Sequence, residues 1–447
     1  MQLLKYLRWP SHPEFFRFVS GFFQVSFNLP SYKRITIRDD FLEPRSGDCA
    51  KKLKTKGRGH NSTPMLSAGK ESCAMPNASM SDNDALEGPY ANYWAASTQR
   101  ENLVNRIERA KSAYSVRRVD LSDVSALVTD DRPSAGDLVL ARVTRLGQHQ
   151  HLELGNGRRC RLWKGDEIIV AYGARYAPDQ FEGVVPEDLS ACHLVAGGGI
   201  AARAISRHGS VKPATDIEPV GLLANSKGVI NVRSGSLGPA PKLRPHLTFA
   251  VVGSSMNAGK TTTAANLIVG LRRLGHRVGA AKITGTGAGG DRWLLTDAGA
   301  SPVLDFTDAG YATTAGLSAE KLEHILTLLT AHAASRGVHC LVLEIADGLL
   351  QRETAMLVES HRFAKIVDAV LFAASSPMGA IAGVDWLQRR KLTVAAVSGV
   401  LTASPLAMRE AAGELTVPVH TIEELATADV VSSLSPLIKH LPGQLVR

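Results

Sequence analysis

The sequence of 447 residues predicts an α/β protein: a C-terminal domain with a mainly parallel sheet flanked by helices, preceded by a small β-rich domain. Three observations predict it. From Leu247 onward, short apolar runs alternate with stretches of helical spacing, the pattern of strands joined by helical crossovers. Between about residues 115 and 235, short β-forming runs are separated by turn residues instead. Between these regions GSLGPAPKLRP, residues 235–245, sets three prolines among small residues and reads as a linker. The expected organisation is an extension at 1–95, a β-rich domain at 96–235, a linker at 236–246 and the α/β domain at 247–447.

Residues 1–95 mix aromatics, proline, lysine and serine without sustained period, and are expected to be a mostly disordered basic and polar extension. The formal charge is +9, and residues 1–60 alone hold 12 Lys/Arg against 5 Asp/Glu, so the remaining chain is close to neutral. The basic run Lys51–Arg58 could meet nucleic acid or an anionic membrane, but a solvated arm is the simpler reading, and nucleic acid is not expected as a partner. Translation from Met75 or Met80 would remove most of the extension. No run of about eighteen apolar residues is present, so no membrane span is predicted. The five cysteines are odd in number and lack CxxC spacing. That argues against a disulfide framework or a structural zinc site and for a reducing, cytoplasmic setting.

In the β-rich domain, Leu103, Ile107 and Ala110 recur at helical spacing and predict a short amphipathic helix. Strands are predicted within residues 137–147, 149–155 and 158–173, and again at 220–223 and 229–232. Gly155-Asn156-Gly157 and Lys164-Gly165-Asp166 supply turns. Such close spacing predicts a small barrel or sandwich. His149 and His151 share one strand face without an evident third metal ligand. Arg158, Arg159 and Arg161 fit either a solvated hairpin or an acidic ligand. The loop 173–183 gathers Arg175, Tyr176 and Asp179 and is expected to meet the C-terminal domain or its ligand. Gly197-Gly198-Gly199 could bind an anion, though a turn is simpler. Cys192 is read as a packing residue.

In the C-terminal domain, strands are predicted at 247–252, 277–282, 340–345, 369–373 and 393–400, and helices at 261–274, 318–335 and 353–363. The first strand runs into GSSMNAGKTTT, a phosphate-binding P-loop of the Walker A kind. The predicted nucleotide contacts are Gly253, Ser254, Ser255, Asn257, Ala258, Gly259, Lys260, Thr261 and Thr262. Glycines let backbone N–H groups approach phosphate oxygens, and the following helix adds its positive end. Lys260 is the catalytic cation expected at the β and γ phosphates, and the Thr261 hydroxyl is expected to bind Mg²⁺. ATP is the expected nucleotide. The absence of a base-specifying motif such as NKxD favours ATP, while GTP stays possible.

Five residues separate Gly253 from Gly259-Lys260-Thr261. This spacing resembles the loop of dethiobiotin synthetase and the cobyrinic acid amidase/synthase group, of the SIMIBI class. VGAAKITGTGAGGD (residues 278–291) and LVLEIADGLL (341–350) resemble their later strands. The resemblance covers roughly residues 247–420. It implies ATP-driven activation of a substrate carboxylate, with Lys282 at the phosphate or carboxylate, and Asp291 and Glu344 joining Thr261 around Mg²⁺. A small-molecule substrate carrying a carboxylate and a homodimer follow from the same likeness. Asp347 competes with Glu344 for the metal, and Asp305 is a further acid that could face the site. GGDRWLLTDAGA (289–300) also resembles the molybdopterin-guanine dinucleotide biosynthesis adaptor, which implies a nucleotide-dependent switch. The loop spacing is shared with P-loop D-amino-acid N-acetyltransferases, which implies acyl transfer. VSGVLTAS (397–404) departs from the Val-Val-Leu-Asn of the synthetase group, where base recognition is expected.

Overall fold

A helix at residues 101–109 (α1) forms where the apolar period predicted it, with Ile107 buried and Leu103 packed on the adjoining core. The structure, a computed structural model, describes residues 101–436. The expected extension at 1–95 lies outside the described residues. After α1 come β1 (Lys111–Ser112), β2 (Ala126–Val128), β3 (Leu138–Arg145), β4 (His151–Glu153), β5 (Arg159–Arg161) and β6 (Glu167–Tyr172). Next are β7 (Arg175–Tyr176), β8 (Phe181–Val184), β9 (Cys192–Ala196), β10 (Ile200–Arg207), β11 (Thr215–Asn225) and β12 (Gly228–Val229). Strands β6, β3, β11, β9 and β10 form a closed ring. Four joints are antiparallel, and β10 returns to β6 in parallel. Closure removes free sheet edges and leaves one interior to fill. Val139, Val143, Val170, Leu194 and Ile217, which the register puts on one face, are among the side chains that fill it. The β4–β5 hairpin stands beside the ring.

The α/β part begins with β13 (Leu247–Gly253), α2 (Lys260–Arg273), β14 (Val278–Lys282), α3 (Gly290–Asp297), β15 (Val303–Asp305) and α4 (Ala319–Ser335). It continues through β16 (Cys340–Glu344), α5 (Arg352–Val358), α6 (His361–Ile366), β17 (Ala369–Ala373), α7 (Pro377–Arg389), β18 (Val394–Ser398), α8 (Pro405–Glu414) and α9 (Ala428–Ser433). The six strands are parallel in the order β15-β14-β16-β13-β17-β18. Every residue of β13, β16 and β17 is buried, as a sheet covered on both faces demands. Leu326, Leu343 and Phe372 belong to the core on one face, and Phe249, Leu267 and Leu371 to the core on the other.

The single helix expected at 353–363 is two. Ser360 accepts a hydrogen bond from the Phe363 N–H and starts α6 afresh. Helices α7 and α8 lay outside the sequence expectation, yet each opens with a capping serine followed by proline, Ser376-Pro377 and Ser404-Pro405. In this parallel sheet the loops at the strands' C-terminal ends form the crevice where ligands bind. The β13–α2 loop and the ends of β14 and β16 lie there.

Candidate functional site

The β13–α2 loop is held open by its own backbone. Ser254 N–H donates to Ala373 O (2.9 Å), and the Ser254 hydroxyl accepts from Ser375 N–H (3.3 Å). Gly259 sits at φ +94°, in the left-handed region, and offers α2 no side-chain cap. The first bond of the helix runs from Thr263 N–H to Gly259 O (2.9 Å), so the Lys260, Thr261 and Thr262 amides precede the hydrogen-bonded ladder. An uncapped helix start of this kind is an anion site once a lysine joins it. Lys260 is buried, and its Nζ donates to Ser255 O (2.8 Å), folded back over the loop. Burial pulls that ammonium below the ordinary lysine range, against the attraction of Glu344 and Asp347.

Beneath the loop the three residues expected at the metal converge. Thr261 Oγ1 lies 2.9 Å from Glu344 Oε1 and 3.1 Å from Asp291 Oδ1. Lys282 Nζ pairs with Asp291 and stands 3.5 Å from Glu344 Oε1. Burial pulls Lys282 down, but the two carboxylates outweigh it and hold the ammonium above its usual value. Burial pushes Asp291 up and Lys282 more than offsets that, while Glu344, 2% exposed, ends above the ordinary carboxylate range because burial dominates. Glu344 Oε2 is buried without a hydrogen-bond partner. A hydroxyl, two carboxylates and one unsatisfied carboxylate oxygen fit Mg²⁺, which takes one or two carboxylates and completes its shell with phosphate oxygens and water. Among the described residues no group of three or more His, Cys, Asp or Glu could hold a metal by itself. Asp347 lines the same cavity, with φ +61°, and burial raises its carboxyl.

The loop cavity is about 510 Å³ and is lined by Asn257, Gly259, Lys260, Thr261 and Thr262, with Lys282, Asp291, Glu344 and Asp347. Of the other predicted loop contacts, Gly253, Ser254, Ser255 and Ala258 are absent from its lining. Gly253 ends β13, Ser254 braces residue 375, and Ala258 is fully buried. The barrel completes the wall with Arg175, Tyr176 and Ala177. A second cavity of about 540 Å³ adjoins it and shares Arg175, Thr286, Ala288 and Asp291. Its remaining walls are polar and come largely from the barrel side, including His149, His151, Glu153 and Arg159. His149 Nε2 lies 2.9 Å from Val195 O, and burial pushes the imidazole down to about 4. It is therefore neutral at pH 7.

Of Arg175, Tyr176 and Asp179, which the sequence gathers in the loop 173–183, Arg175 and Tyr176 line the loop cavity. The loop 173–183 does meet the nucleotide-loop domain: Asn257 Nδ2 donates to Asp179 Oδ2 (2.8 Å). Asp305 is corrected. It is buried at 3% exposure, bonded to Tyr114 and Thr307 and paired with Arg117, so it belongs to the contact between barrel and sheet rather than to the cavity. Gly197–Gly199 is the turn between β9 and β10. Cys192 is buried, its thiol pushed up to about 12 by burial, in keeping with packing.

The chain matches no protein-family model and no curated protein. Solved structures do resemble it. One is the signal recognition particle receptor FtsY from Elizabethkingia anophelis, at 16% identity over 42% of this chain and 64% of that one, with a TM-score of 0.30. Another is chloroplast FtsY from Physcomitrella patens, at 15% identity over 45% and 71%, TM-score 0.30. A third is the signal recognition particle 54 kDa protein from Aeropyrum pernix K1 in complex with GDP, at 22% identity over 44% and 50%, TM-score 0.28. The chain thus spans less than two thirds of the first of these. Likenesses this distant carry no functional argument, and the P-loop architecture rests on the strand order and loop geometry above.

Proposed function

We propose that the protein binds a Mg²⁺–nucleoside triphosphate and transfers its terminal phosphoryl group to a small substrate, with a carboxylate as acceptor. The observation that carries this reading is the convergence of Lys260, Thr261, Lys282, Asp291 and Glu344 on one cavity that adjoins a second, polar one. Lys260 exchanges Ser255 O for phosphate oxygens, and the uncapped amides of α2 take the remaining charge. Thr261, Asp291 and Glu344 would hold Mg²⁺, which supplies charge neutralisation between the phosphates. Lys282, tied to both acids, fixes their orientation and leaves a cation beside the acceptor. The adjoining cavity gives that acceptor room. ATP is favoured and GTP fits the same loop. The three cysteines among the described residues are buried and free, which suits the expected cytoplasmic location, and no described helix is long and apolar enough to cross a membrane.

A second reading, a nucleotide-dependent switch, draws on the Asn257–Asp179 hydrogen bond, which links the loop directly to the barrel. The test for both is stabilisation by ATP, GTP or acetyl-CoA, each with Mg²⁺, on the wild type and on Lys260→Ala. A ligand at a hundred times its dissociation constant adds about 2.7 kcal/mol. The expected result is a shift with one nucleoside triphosphate that Lys260→Ala abolishes. Turnover that rises only with a carboxylate acceptor supports transfer, whereas slow hydrolysis raised by a protein partner supports the switch. A shift with acetyl-CoA alone, or with no nucleotide at all, rejects the proposal.

A further inference from the structure

The barrel sends one cation into the nucleotide cavity. Arg175 is the first residue of the short strand β7, whose hairpin to β8 is tightened by Gln180 N–H on Ala177 O (2.9 Å) and Ala177 N–H on Phe181 O (3.1 Å). Its guanidinium makes one hydrogen bond, from Nη2 to the neutral Gln180 Oε1 at 3.2 Å. Nε is buried without a partner, and the residue is 8% exposed. Among the described residues no carboxylate reaches it within ion-pairing distance, although Asp179 and Asp347 attract it from farther away. A guanidinium this buried and this poorly paired is expensive unless an anion completes it.

The position says which anion. Arg175 lines the cavity that Lys260 and Thr261 line. Asp347 and Lys282 line it too, and all three cations, Arg175, Lys260 and Lys282, carried on separate elements, act on the Asp347 carboxyl. The turn bearing Arg175 is fastened to the phosphate loop itself through Asp179 and Asn257, the latter held at φ +63°. We propose that Arg175 is supplied by the barrel, within the same chain, to bind the terminal phosphate of the nucleotide, so that the barrel closes the phosphate site. This rests on the phosphate-loop reading above and adds a residue and a role to it. Arginine suits the task because its planar fork meets two phosphate oxygens at once.

The experiment compares the wild type with Arg175→Met, Arg175→Lys and Lys260→Ala. Affinities for ATPγS and ADP, and for GTPγS and GDP, are measured with Mg²⁺, together with phosphate release from ATP and GTP. In Arg175→Met the triphosphate analogue should weaken at least tenfold while the diphosphate changes less than twofold, and phosphate release should fall roughly 10²-fold. Retained diphosphate binding shows that the variant is folded. Arg175→Lys should recover part of the affinity and little of the turnover, because a point charge replaces the fork. An unchanged ratio of triphosphate to diphosphate affinity in Arg175→Met overturns the proposal, as does equal weakening of both. If Lys260→Ala leaves nucleotide binding intact, the phosphate-loop reading fails separately. A wild type that binds no nucleotide ends both.

Discussion

Lys282 and His149 show how burial decides charge at this site in opposite ways. Lys282 keeps its proton because two carboxylates surround it, and it bridges them together with the Thr261 hydroxyl. His149 has no such counter-charge. Burial, with Arg175 and Arg159 nearby, favours its neutral form and pushes it down to about 4. In the unfolded chain a histidine takes its proton near 6.5. Between those values the unfolded state binds more protons, so stability is full above about pH 6.5 and falls as pH drops towards 4. The effect amounts to about 3 kcal/mol across the whole window. His149→Gln should therefore lose less stability than the wild type between pH 7 and pH 4 in urea titrations. Equal losses would mean that the folded protein lets His149 take its proton as readily as the unfolded chain does.

At the scale of elements, what was legible was what is local. A strand, two glycines, Gly-Lys-Thr and an apolar helix face are constraints within about thirty residues, and β13, the loop and α2 follow them closely. Strand β10 was not legible. IAARAISR is rich in alanine, which favours strands poorly, and its pairing with β6 and β9 is what makes it extended. Asp305 was misread for the same reason, since its partners Tyr114 and Arg117 lie about 190 residues away. The turn that joins β9 to β10 lies close against the loop that follows β14. A Cβ on Gly198 would lie 1.7 Å from Gly287 O, and neither backbone is free to move. Gly198 O accepts from Ser115 N–H (3.0 Å), and Gly287 N–H donates to Ala312 O (2.9 Å). Gly198→Ala should cost about 2 kcal/mol or more by forcing these elements apart. Urea unfolding measures it, and a variant as stable as the wild type would show that the contact yields.

At the scale of the molecule, the barrel and the sheet keep separate cores, and a buried polar network joins them. Asp308, 2% exposed, is paired with Arg117 (2.8 Å), Arg118 (3.2 Å) and Arg292 (3.1 Å). Asp305 is bonded to Tyr114 and Arg117, and the Arg117 guanidinium also stacks on the Tyr114 ring at 4.3 Å. Two arginines and a tyrosine from the barrel side thus meet two acids from the end of β15 and beyond. Removing one member of such a set leaves a charge buried without its full complement, which costs about 3–5 kcal/mol. Because Arg117 touches both acids, Arg117→Met should have that effect, and the loss should fall on the joint rather than on either core. Unfolding followed by barrel and sheet probes should then separate into two transitions where the wild type shows one. Trp163 reports the barrel, and Trp386 on α7 reports the sheet. Nucleotide affinity should drop with the joint, since Arg175 and Asp179 reach the phosphate loop only while the barrel stays docked. A variant that unfolds in one step and binds nucleotide normally would show that the two parts are held together by something other than this network.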